Sequence, residues 1–199
     1  MRRIATANVA LHVLGLALGA TLMRPGSIAE PLEARWQFLA ERHSGWALGW
    51  AVWFLSALTF VAFMERLVRR VPEARLALVL GAMGASVDLV GDSVQGLVLP
   101  LVAASTPEPN ALFLTVERAA NVAGLVVANG LYSVAVLVAT VQLRGKSLAA
   151  AGSLTFVAGM VMVAGGLADS AQLVVISAGP TIVGYVAWVL LAARDAKPE

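Results

Sequence analysis

Residues 76–103 read LALVLGAMGASVDLVGDSVQGLVLPLVA, and this stretch decides the fold. It exceeds the roughly 20 mostly apolar residues that a helix needs to cross a bilayer at ~1.5 Å rise per residue. Its only charges are Asp88 and Asp92. An ionisable side chain in mid-bilayer costs several kcal/mol on most estimates, so such residues turn to a bundle interior and mark function.

Five further stretches carry the same apolar signal: about 4–23, 45–64, 111–143, 148–167 and 171–193. Only Ala168-Asp169-Ser170 separates the last two, and Gly165, Gly166 and Asp169 favour a break there. The chain is 59% hydrophobic and 13% charged. Soluble domains are roughly 45–50% apolar and about 25% charged, so a disordered chain is excluded and a soluble domain is disfavoured. The expectation is an all-α integral membrane bundle of six transmembrane helices, forming a single domain over residues 1–199. The first span is expected to be retained: its apolar run is long for a signal peptide, and Leu18-Gly19-Ala20 is a poor cleavage site.

The formal net charge is +2, from 14 Lys+Arg against 12 Asp+Glu. No basic cluster resembles a nucleic-acid stripe, so no nucleic-acid partner is expected. The absence of Cys excludes a disulfide scaffold, thiolate metal sites, Fe–S clusters and Cys-linked haem. The two histidines, His12 and His43, lie in different segments. There is no H-E-x-x-H and no paired His, so neither a metal site nor a cofactor is expected.

Lys and Arg in the short loops set the orientation. With the N-terminal side inside, Arg2, Arg3, Arg66, Arg69, Arg70, Arg75, Arg144, Lys146, Arg194 and Lys197 are inside, and Arg24, Arg35 and Arg42 are outside. Ten against three places both termini in the cytoplasm of a bacterial inner membrane.

The one sizeable outer segment is expected to carry a short amphipathic interfacial helix over 31–43. Pro31 suits a first helical turn, and Leu32, Trp36, Leu39 and His43 recur at i, i+4, i+7, i+11. It is read either as a lid packed over the bundle or as a gate. Trp46, Trp50 and Trp53 form a stripe; interfacial anchoring explains the first, whereas Trp53 is deep enough to pack in the bundle or line an apolar pocket.

Polar residues cluster on few helix faces. On the third span Asp88, Asp92 and Gln95 stand at i, i+4, i+7, within about 60° of arc, with Gly81, Gly84 and Gly91 on the same side. On the fourth, Glu117, Arg118, Asn121, Asn129 and Tyr132 fall within about 120°. The first offers Asn8 and His12, the sixth Ser177 and Thr181. These faces imply a cavity between spans one, three, four and six, open toward the outer side. Arg118 is expected to neutralise Asp92 or Glu117, and Asp88 to be the carboxylate without a fixed partner. One Arg against three carboxylates leaves two acids that must be protonated, hydrated or paired with a ligand cation.

The leading functional reading is binding and movement of a small solute, cation or proton by Asp88, Asp92, Gln95, Glu117, Arg118, Asn121, Asn129, Tyr132, His12 and Trp53. The first alternative is a membrane-embedded enzyme acting on a lipid or quinone, its carboxylates supplying acid–base catalysis. The second is an accessory subunit of a membrane complex. Membrane lipid and a small-molecule or ion ligand are the expected partners, with a partner subunit or a second copy of the chain also open. In size, span number and cytoplasmic termini the chain is similar to the substrate-binding subunits of energy-coupling vitamin transporters. That analogy is of architecture alone and implies no ligand.

Overall fold

The computed structural model describes residues 1–195, apart from the side chains of Arg42 and His43. Lys197, and the His43 position on the amphipathic face, therefore lie outside what is described. The secondary structure of the described residues is all helical, and among them six helices are long and apolar enough to cross a membrane: Arg2–Ala20, Ser44–Val68, Pro72–Ala104, Ala111–Gln142, Lys146–Leu167 and Ala171–Asp195.

In chain order the elements are α1 (Arg2–Ala20), α2 (Leu32–Val68), α3 (Arg75–Ser93), α4 (Leu99–Ala104), α5 (Ala111–Asn121), α6 (Asn129–Gln142), α7 (Lys146–Leu167) and α8 (Ala171–Asp195). A π-helical turn at Val94–Val98 joins α3 to α4, and another at Val122–Ala128 joins α5 to α6. The third and fourth spans thus each contain a widened turn. Pro100 supplies a reason for the first. It has no N–H to give back to the preceding turn, so the i→i−4 ladder breaks there. The indole Nε1 of Trp46 donates to the Gln95 carbonyl at 2.5 Å. In the second widened turn Asn129 Nδ2 donates to the Gly124 carbonyl at 2.8 Å. In the first case the indole supplies the donor that Pro100 lacks; in the second the Asn129 side chain adds to its own backbone N–H, which already donates to the same carbonyl.

The helix ends have local causes. Asn110 caps α5, its side chain accepting from the Phe113 amide at 3.0 Å. Between α7 and α8, Asp169 takes a left-handed conformation (φ 53°), and the Ser170 amide donates to the Gly165 carbonyl at 2.8 Å. This terminates α7 with a Schellman-type turn and reverses the chain in three residues.

The 31–43 segment corrects one expectation. It is helical, but it is not a separate interfacial helix. It forms the first turns of α2, which runs unbroken for 37 residues. No proline occurs between Leu32 and Val68, so nothing interrupts the ladder. At ~1.5 Å per residue α2 is roughly 55 Å long, well beyond a bilayer core. Its projecting end packs on the bundle. Leu39 is fully buried with Met23, Trp46, Leu99 and Phe113 in one apolar core. Trp36 Nε1 donates to Thr106 Oγ1 at 3.3 Å in the loop between the third and fourth spans. A second core, around Phe63, Met64, Leu67, Ala139, Trp188 and Ala192, closes the other end.

Candidate functional site

A cavity of about 260 Å³ lies between the two cores. All six spans contribute to its wall, not only spans one, three, four and six. The second gives Trp50, Trp53 and Phe60, and the fifth gives Thr155 and Met162. Eight of the ten candidate ligand residues line it: His12, Trp53, Asp88, Asp92, Gln95, Asn121, Asn129 and Tyr132. Glu117 and Arg118 do not.

Those two exceptions overturn the expected pairing. Glu117 is held by Arg35: Nε to Oε1 is 2.7 Å and Nη2 to Oε2 is 2.8 Å, a bidentate fork, while Nη1 donates to the Glu30 carbonyl at 3.0 Å. The two side chains retain 15% and 8% of their exposure, so this is a buried pair. Arg118 instead lies at the periphery and pairs with Asp169 in the α7–α8 turn. The cause is helical geometry. Consecutive residues differ by about 100°, so Glu117 and Arg118 leave α5 in different directions. The widened turn then corrects the face read from sequence. One inserted residue rotates the remainder of the span by about 100°. With that removed, Asn121, Asn129 and Tyr132 fall within about 80° of arc with Glu117, and Arg118 is left outside.

Sequence reasoning missed Arg35 as a member of this pair. It stands three residues from Leu32 and four from Leu39. It therefore borders the apolar face that docks on the bundle. A cation at that position was the available signal for the partner of an intramembrane glutamate.

Within the cavity, Asp88 Oδ2 accepts from the Tyr132 hydroxyl at 3.0 Å. The expected free carboxylate is therefore not Asp88 but Asp92, whose Oδ2 is buried without a hydrogen-bond partner. Gln95 donates through Nε2 to Asn121 Oδ1 at 2.8 Å, yet its Oε1 is also buried and unpaired, as is Trp50 Nε1. Asp92 and Gln95 are each 4% exposed. No Lys or Arg among the described residues lines the cavity. Among the described residues, no three His, Asp or Glu side chains are grouped to hold a metal ion.

The opposite wall is aromatic. His12 Nδ1 donates to the Asn8 carbonyl at 2.9 Å, which fixes the proton on that nitrogen because a carbonyl oxygen only accepts. Its ring lies 4.5 Å from Tyr185 and 5.9 Å, edge-on, from Trp53. Phe60 continues the row, 5.8 Å from Tyr185 and 4.9 Å from Tyr132. Asn8, fully buried, anchors this wall. It accepts from the Tyr185 hydroxyl at 2.6 Å and donates to Thr59 Oγ1 at 3.1 Å and the Ser56 carbonyl at 3.3 Å. Spans one, two and six meet there. Trp46, expected as an interfacial anchor, is 4% exposed and belongs to the core.

The arrangement is thus a small chamber with one acidic stripe, one aromatic wall and unpaired polar atoms on the acidic side. An unsatisfied buried polar group costs about 1–3 kcal/mol, so its retention calls for a ligand or ordered water. Comparisons with protein-family models, curated proteins and solved structures find no match to this chain.

Proposed function

We propose that this protein binds a small cationic solute or proton in the chamber and carries it across a bacterial inner membrane. One observation carries the reading. Asp88 and Asp92 face a cavity whose described wall holds no Lys or Arg, and Arg35 and Arg118 are engaged elsewhere, with Glu117 and Asp169 respectively. Two carboxylates one helical turn apart in a low-dielectric chamber favour a positive occupant. The interior void also counts against an accessory subunit, which needs a filled core.

The test is charge movement by the full chain reconstituted in liposomes on a conducting sensor. Steps of pH, sodium chloride and small amine chlorides are applied in turn. At least one should evoke a transient current, and Asp88→Asn should reduce it at least about tenfold. Silence to the whole panel, or an undiminished current in the variant, overturns the reading.

Both ends of the chain are proposed to be cytoplasmic. Arg2, Arg3, Arg66, Arg70 and Arg194, from α1, α2 with the turn that follows it, and α8, gather around one shallow pocket at a single end of the bundle, which supports the positive-inside assignment. Fusion reporters after Arg70, Lys146 and Glu199 should report cytoplasm, and one within residues 30–43 the outside. An outside signal after Glu199 would reverse or break the six-span topology.

A further inference from the structure

We infer that the occupant of the chamber is a primary ammonium carried on an aromatic body, an arylalkylamine. This rests on reading the chamber as a cation site, and it names the class of cation. Three acceptors succeed one another on the third span: Asp88, Asp92 and Gln95, at i, i+4 and i+7. Asp92 Oδ2 and Gln95 Oε1 are buried and unpaired, and both residues line the cavity. A primary ammonium has three N–H donors, enough to serve both orphan acceptors. A quaternary ammonium has none and would leave both orphan atoms unsatisfied. A bare monovalent ion would meet the charge but leave the aromatic wall without an occupant.

Size and wall chemistry set the body. An apolar cavity of ~150 Å³ accommodates one benzene ring. This one, at about 260 Å³, has space for a ring and a two- or three-atom arm. The row His12, Trp53, Tyr185 and Phe60 offers ring edges and faces at the spacing of stacked and T-shaped pairs.

The experiment is equilibrium binding to the full chain in nanodiscs at pH 7, using probes that share one body. These are 2-phenylethylamine, its N,N,N-trimethyl analogue and 2-phenylethanol, with sodium chloride as the inorganic cation. The amine should bind saturably, the trimethyl analogue at least about 10-fold more weakly and the alcohol at least about 100-fold more weakly, because charge-assisted hydrogen bonds are lost in each step. The near-isosteric Asp92→Asn should weaken amine binding at least about 30-fold and Gln95→Leu about 5–10-fold. Equal binding of amine and trimethyl analogue overturns the donor assignment and leaves a cation site. Sodium-dependent or proton-dependent current that needs Asp88, with no amine bound, overturns the aromatic body and leaves the transport reading. Equal binding of the alcohol, or amine binding unchanged in both Asp88→Asn and Asp92→Asn, overturns the inference and the cation site together.

Discussion

Replacing Arg35 with leucine is expected to destabilise the protein more than any other charge removal in the chain. The substitution leaves the Glu117 carboxylate, 8% exposed, without the guanidinium fork that holds both its oxygens. Deleting one partner of a buried pair costs roughly 3–5 kcal/mol. In thermal unfolding in detergent, that corresponds to a midpoint lower by roughly 10 °C for a chain of this length. Arg35→Lys should recover only part of the loss, since a point charge cannot reproduce the fork. The double variant Arg35→Leu with Glu117→Leu should recover most of it, because the stranded charge is gone. Arg118→Leu is the contrast. Its partner Asp169 is 64% exposed and Arg118 itself 60%, so the expected change is below about 1 kcal/mol. Equal loss in Arg35→Leu and Arg118→Leu would show that the Arg35–Glu117 pairing is wrong.

That contrast also marks how far the sequence could be read. The six helices were legible because hydropathy over about 20 residues is a sum, insensitive to detail. The acidic stripe on α3 was legible because Asp88 and Asp92 lie within one uninterrupted helix, where 100° per residue holds. The partner of Glu117 was not, because Arg35 is 82 positions away and on a segment assigned to the membrane surface. The continuity of α2 hid the relation: a helix that does not stop at the bilayer edge can bring a loop cation back onto the bundle. The widened turns were hidden too. One added residue leaves hydropathy unchanged while rotating everything after it, and only Pro100 hinted at the first of them. Both lie beside the chamber, Gln95 in one and Gly124 in the other. The chamber's composition was therefore easier to read than its geometry.

Asp92→Leu is expected to move stability and function in opposite directions. Asp92 Oδ2 is buried and has no hydrogen-bond partner, and the residue borders a cavity with room for a larger side chain. Removing an unsatisfied buried polar group and adding apolar contact should stabilise the ligand-free protein by about 1–3 kcal/mol. The midpoint of thermal unfolding should rise by several degrees while binding is lost. This is the pattern of a residue kept for function at the expense of the fold. Asp88→Asn should shift the midpoint little, since an amide oxygen can still accept from the Tyr132 hydroxyl. If the acids served only to fix helix register in a satisfied polar network, the reverse would follow: each acid would be held by its neighbours, and both substitutions would lower the midpoint. The sign of the Asp92→Leu shift in ligand-free protein therefore separates the two, without knowledge of the ligand. A fall in midpoint would mean that Asp92 is a structural member of the bundle, and the chamber would lose its unpaired carboxylate.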